Sequence, residues 1–127
     1  MTRFLIVAAG GALGAVARYG MGRLLPAAAW PWPTLTVNVL GGLLMGLLTG
    51  WLAFRGGANS EAIRLFAAVG VLGGFTTFSA FSLEAALMIE RRQLAMAGGY
   101  VLTSAVLSIA ALFIGLLVAR RAFGAAP

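Results

Sequence analysis

Few residues in this chain can do chemistry, and most of those are uncharged. The thirteen residues from Gly70 to Ser82 hold three glycines, three phenylalanines and four hydroxyl side chains inside an otherwise apolar run. Phe78 and Phe81 stand three apart there and share a face wherever the backbone is helical. An aromatic ring is electropositive at its edge. Two edge-on phenyls can therefore hold a small anion without the grip of a fixed cation. Thr76, Thr77, Ser79 and Ser82 add hydroxyls beside them. Further on, Tyr100, Ser104 and Ser108 recur at every fourth position, which lays three hydroxyls along one side of a helix. Asn38 sits in a second apolar run, where an unsatisfied amide costs several kcal/mol. It either bonds a neighbouring helix or offers N–H donors to an anion at a pore mouth. Such a set could replace the water around an ion step by step. The same residues also suit plain helix packing, because glycine and serine let helices approach closely and serine often bonds its own helix.

Composition removes the competing chemistries. The chain lacks cysteine and histidine, so disulfides, thiol or imidazole catalysis and Cys/His metal sites are out. The three acids are Glu61, Glu84 and Glu90, too few and too scattered for a two-carboxylate site, so an enzyme is not expected. The chain is 61% hydrophobic and 9% charged, where a soluble domain carries about 25% charged residues. It reads as an integral membrane protein with the lipid bilayer as its surroundings. The net charge of +6 comes entirely from scattered arginines and forms no basic stripe, so no nucleic acid partner is expected.

These residues need elements to hold them in lipid. Roughly 20 apolar residues cross a bilayer as a helix, and four runs qualify, at about 3–25, 33–54, 62–89 and 94–119 of a single domain, 1–127. The expected fold is all-α, four transmembrane helices with the third broken at its centre by the glycine- and hydroxyl-rich stretch. Non-helical backbone at that depth is tolerated only where it is buried in protein or lines a wet cavity. Arg3, the following apolar run and Ala15-Val16-Ala17 have the outline of a cleavable signal, but a retained first span is more economical. Gly10 with Gly14, and Gly42 with Gly46 and Gly50, mark close helix packing, within one subunit or along a dimer seam. Glu84 lies one turn past Phe81, where a structural pairing with Arg18 or another arginine is expected. Arginines divide five against three or four across the membrane, a weak positive-inside bias that permits insertion both ways and hence an antiparallel homodimer.

Three segments carry a family resemblance: Gly10-Gly11-Ala12-Leu13-Gly14-Ala15-Val16-Ala17-Arg18-Tyr19, Thr34-Leu35-Thr36-Val37-Asn38-Val39-Leu40-Gly41, and Gly73-Gly74-Phe75-Thr76-Thr77-Phe78-Ser79. In order, and followed by the Tyr100, Ser104 and Ser108 stripe, they resemble the fluoride channels of the CrcB/Fluc family over nearly the whole chain. The resemblance implies a multi-pass protein of the cell inner membrane that passively exports fluoride to lower its cytosolic level. It implies a dual-topology antiparallel homodimer with two fluoride pathways. Asn38, Thr77, Phe78, Ser79, Phe81, Tyr100, Ser104 and Ser108 would line each pathway, with Arg18 near a vestibule. It further implies a structural sodium ion at the dimer interface, held by backbone carbonyls of Gly73 and Thr76. One departure is Ala80, where the family commonly has a hydroxyl between the two phenylalanines. The rival readings are a proton-coupled exporter of the small multidrug type, which needs a membrane-embedded carboxylate, and a non-transporting structural subunit. Only Glu84 could serve the first.

Overall fold

In lipid every backbone N–H and C=O must find its partner inside the protein, so each apolar run folds as helix. The computed structural model describes residues 1–26 and 28–124, and all regular elements among them are helical. Helix α1 spans Thr2–Leu24 and stops where Leu25 turns to extended backbone ahead of Pro26, as the residue before a proline prefers. Helix α2 spans Trp32–Arg55 with Pro33 in its first turn, where a missing N–H leaves no helical bond unmade.

The third span is a composite of four pieces. Helix α3 (Ser60–Ile63) leads into a nine-residue segment of wide, π-type turns (Arg64–Leu72) and then into the short helix α4 (Gly73–Phe75). Thr76 and Thr77 follow with extended backbone, at φ −78°, ψ 158° and φ −150°, ψ 118°. Helix α5 then runs Phe78–Glu90, and helix α6 runs Leu94–Phe123. By length and apolar character α1, α2, the composite Ser60–Glu90 and α6 are each able to cross a membrane. The sequence places the end of the last span near Ala119, whereas α6 continues to Phe123 with Arg120 and Arg121 in its last turn. A charge ends the apolar run without ending the helix, because arginine stems reach back to the interface.

The turn from α5 to α6 is tight. Arg92 takes φ 60°, a left-handed conformation that glycine usually fills. The Gln93 and Arg92 amides donate to the Met88 and Ile89 carbonyls at 2.9 and 3.0 Å. These two bonds close the end of α5 as a Schellman-type cap.

Two close seams hold the bundle. α2 and α6 pack along most of their length, and α1 packs on the π-type segment and α4. A methyl group added at Gly46 would strike the Leu112 carbonyl, and one at Gly42 would stand 2.7 Å from the Ser108 carbonyl. Likewise a methyl at Gly10 or Gly14 would strike the carbonyls of Phe66 or Val71. These glycine rows therefore serve helix approach within one subunit. The outward face of α6 (Leu102, Val106, Ile109, Phe113) stays exposed and apolar, as a lipid-facing or subunit-facing surface requires.

Candidate functional site

The break in the third span is fastened from α2. Asn38 Nδ2 donates to the Thr77 carbonyl at 3.0 Å, and Asn38 Oδ1 accepts from the Thr77 amide at 2.8 Å. This two-way clasp satisfies the backbone groups that the interruption would otherwise strand. Thr77 then starts α5 as its cap, its Oγ1 accepting from the Ala80 amide at 3.1 Å. The threonine pair thus has a local reason to interrupt the helix, since hydroxyls compete with the backbone for its own hydrogen bonds. Thr76 Oγ1 donates back to the Leu72 carbonyl at 3.0 Å, one turn earlier.

Beside the clasp lies a cavity of about 310 Å³ lined by Asn38, Thr76, Thr77, Phe78, Phe81, Ser104, Ala105 and Ser108. α2 contributes the amide, the break its threonines, α5 its phenylalanines and α6 its serines. No ionisable side chain lines it among the described residues. Phe78 is 78% exposed, with its ring 5.6 Å from that of Phe81 and tilted by 53°. Ser104 is only 5% exposed, and its buried Oγ has no hydrogen-bond partner among the described residues. A buried hydroxyl left unpaired costs about 1–3 kcal/mol unless something in the cavity completes it. A further hollow of about 260 Å³ shares Asn38, Thr76 and Ser108 with this cavity and continues along Gly41, Gly42 and Met45.

Six of the sequence-derived pathway residues therefore meet at one cavity: Asn38, Thr77, Phe78, Phe81, Ser104 and Ser108. Ser79 and Tyr100 lie off its lining. The Ser79 hydroxyl sits 3.3 Å from Thr77 Oγ1 on an exposed stretch. Tyr100 is fully buried and its hydroxyl donates to Glu84 Oε2 at 3.0 Å. Thr34 Oγ1 donates to the other oxygen of Glu84. Glu84 thus takes two hydroxyl donors, from α2 and α6, in place of the expected pairing with Arg18 or another arginine. Arg18 Nε donates instead to the Gly74 carbonyl at 3.1 Å. Arg18 lines a separate cavity of about 180 Å³ with Gly22, Pro33, Thr34, Val37, Thr77 and Ala80. Ala80 accordingly faces the arginine side of the break and not the paired rings.

One site feature, Thr34, was missed in the sequence, and a second, Glu84, was read as structural but with an arginine for its partner. Thr34 stands one turn before Asn38, so these two polar groups share a face of α2, one bonded to Glu84 and the other to Thr77. Glu84 had to be bonded at its depth, since a membrane carboxylate finds a partner or faces water. The spacing of Thr34 to Asn38 carried the first signal, and the depth of Glu84 the second.

The break also frees backbone oxygens. The Thr77 amide, four residues past Gly73, is taken by Asn38, and the Ala80 amide, four past Thr76, is taken by Thr77 Oγ1. Neither the Gly73 nor the Thr76 carbonyl receives its ordinary helical donor, and a methyl at Gly73 would meet nothing nearer than the Ala68 carbonyl at 3.6 Å. A pair of free carbonyl oxygens suits a hard cation.

Residues 5–116 match the family model described as "CrcB-like protein, Camphor Resistance (CrcB)". The chain is 61% identical to a "Fluoride-specific ion channel FluC" of Caulobacter sp. (strain K31), covering 97% of this chain and 98% of that protein. It is 59% identical to a protein of the same description from Phenylobacterium zucineum (strain HLK1), over 97% of this chain and 99% of the relative. A third, from Hyphomonas neptunium (strain ATCC 15444), is 54% identical over the same shares of the two chains.

Proposed function

The chain belongs to the CrcB-like family, and on that premise we propose that it is a fluoride-selective, passive channel, not an enzyme, that lets F⁻ leave the cytosol across the cell inner membrane. The observation that carries this reading is the cavity at the fastened break, lined by two phenylalanines, hydroxyls and an amide and by no ionisable group among the described residues. Fluoride is small and strongly hydrated, so a pore must return the donors that water supplied. The Ser104 and Ser108 hydroxyls can donate, as can the second N–H of the Asn38 amide, whose other hydrogen is spent on Thr77. Phe78 and Phe81 add positive ring edges. With no fixed cation at the site, binding stays weak enough for the ion to leave, which conduction requires.

The exposed ring of Phe78 supports a second copy of the chain closing the open side of the cavity. In an antiparallel homodimer two such pathways would run along the interface. The freed carbonyls of Gly73 and Thr76, one pair from each copy, would hold a structural sodium ion there, supplying a shared positive centre. Arg18, tied to Gly74, would line a vestibule through its own cavity. Glu84 is the carboxylate that a proton-coupled exporter would need. Both of its oxygens accept from hydroxyls, and it stands outside the main cavity lining, which favours a structural role.

The test is efflux from proteoliposomes of purified protein, with fluoride and chloride read in parallel and a potassium ionophore balancing charge. Fast fluoride release without chloride release is the expected result. Intact protein that releases neither ion, or both equally, overturns the reading.

A further inference from the structure

Phe81 and Phe78 do not set their own orientation, because the cavity leaves one side of each ring free. What stands behind them is a row of aromatic rings. Trp30 lies in the connection between α1 and α2, and its ring meets the buried ring of Tyr100 edge-on, centroids 5.5 Å apart and planes at 82°. Tyr100 meets Phe81 at 5.2 Å and 52°. Phe81 meets Phe78 at 5.6 Å and 53°. Three consecutive contacts therefore link a residue outside the cavity lining to the exposed ring inside it. Centroid separations of 4.5–7 Å with tilted or perpendicular planes are those that interacting aromatic pairs prefer.

Other contacts fix the first two rings of the row. Trp30 packs on the core of Leu35, Ala85, Met88, Ala97 and Tyr100, and it also meets Trp32 at 6.2 Å. Tyr100 has no exposed surface, and its hydroxyl is tied to Glu84. Its ring can turn only if Trp30 gives way or that bond breaks.

We propose that Trp30 is a positioning residue for the paired phenyls, holding their edges toward the cavity through Tyr100. The inference rests on the fluoride-channel reading. In this arrangement the connection between α1 and α2, which touches no ion, governs how well the cavity tells fluoride from chloride. A ring that rocks about its axis presents its negative face for part of the time, which weakens attraction for the anion.

The experiment compares Trp30→Phe with Trp30→Leu in the full chain, by fluoride and chloride efflux from liposomes. Both variants are checked for wild-type size by gel filtration. Leucine fills space without a ring edge, so Trp30→Leu is expected to lose roughly two- to tenfold in fluoride flux and in the fluoride-to-chloride ratio, the factor a ring contact carries. Trp30→Phe restores the edge and is expected to restore both. A leucine variant that conducts and discriminates like the wild type overturns the proposal, as does a phenylalanine variant that loses as much as the leucine one. A wild-type protein with no fluoride flux overturns the channel reading itself, so the two failures are distinct. If Trp30→Leu gives no intact protein, Trp32→Phe/Trp51→Phe leaves Trp30 as the sole tryptophan. Its emission must then shift saturably with fluoride, not with chloride, and Phe81→Leu must abolish the shift. An emission indifferent to fluoride overturns the proposal.

Discussion

The clasp between Asn38 and Thr77 gives a direct handle on the break. Leucine at position 38 keeps the branched shape of asparagine in a somewhat larger side chain, but neither donates nor accepts. Asn38→Leu would leave the Thr77 amide and carbonyl without the partners they have at 2.8 and 3.0 Å. Each stranded group costs about 1–3 kcal/mol. The carbonyl stands beside the cavity, so water can recover part of that. The net expectation is a loss of about 2–4 kcal/mol. The alternative relaxation is for the Thr77 amide to return to the Gly73 carbonyl, which rebuilds helix through the break. Either course removes the cavity floor. Thermal unfolding in detergent should fall by roughly 10 °C, and fluoride efflux by roughly thirtyfold to several hundredfold, since each factor of ten corresponds to about 1.4 kcal/mol. Asn38→Ala should behave alike, so that lost volume is not the cause. An Asn38→Leu protein that melts and conducts like the wild type would refute the argument that this side chain holds the break open.

The buried, unpartnered hydroxyl of Ser104 separates stability from function. Ser104→Ala should leave the melting temperature unchanged or slightly raised, while fluoride flux falls roughly tenfold for the loss of one hydrogen bond to the ion. A fall in stability without a change in flux would assign Ser104 to packing. Arg92, at φ 60°, occupies a position that suits glycine. Arg92→Gly should raise stability by about 1 kcal/mol, read as a higher melting temperature with flux unchanged. Gly46 lets α2 and α6 touch, and a methyl there would strike the Leu112 carbonyl. Gly46→Ala should destabilise by about 1–3 kcal/mol, whereas Gly20→Ala, with open space around it, should not.

The four spans were legible because lipid imposes one simple rule, that an uninterrupted apolar run of sufficient length folds as helix. Glycine spacing was equally legible as close packing, but a period of four says nothing about which helix is approached. Only the structure assigns Gly42 and Gly46 to α6, and Gly10 and Gly14 to the third span. The wide turns of Arg64–Leu72 had no sequence signal. They follow from the need to bring the backbone of that segment against the glycines of α1, which is a tertiary demand.

The hydroxyl stripe of α6 shows most clearly where periodicity misleads. Residues four apart are neighbours on a helix, yet at 3.6 residues per turn each step of four drifts by about 40°. From Tyr100 to Ser108 the drift is about 80°, close to a quarter turn. The first member of the stripe therefore turns to Glu84 and Trp30, while Ser104 and Ser108 face the cavity. A pattern that looks like three equivalent ligands divides into two that can meet an ion and one that holds the surrounding wall. The same rotation makes the site possible, because it lets one helix present a structural anchor to the buried core and hydroxyls to the cavity. Tyr100 is fixed by burial and by its bond to Glu84. Replacing it with phenylalanine would leave Glu84 with the Thr34 hydroxyl as its one remaining donor, while both cavity serines stay in place.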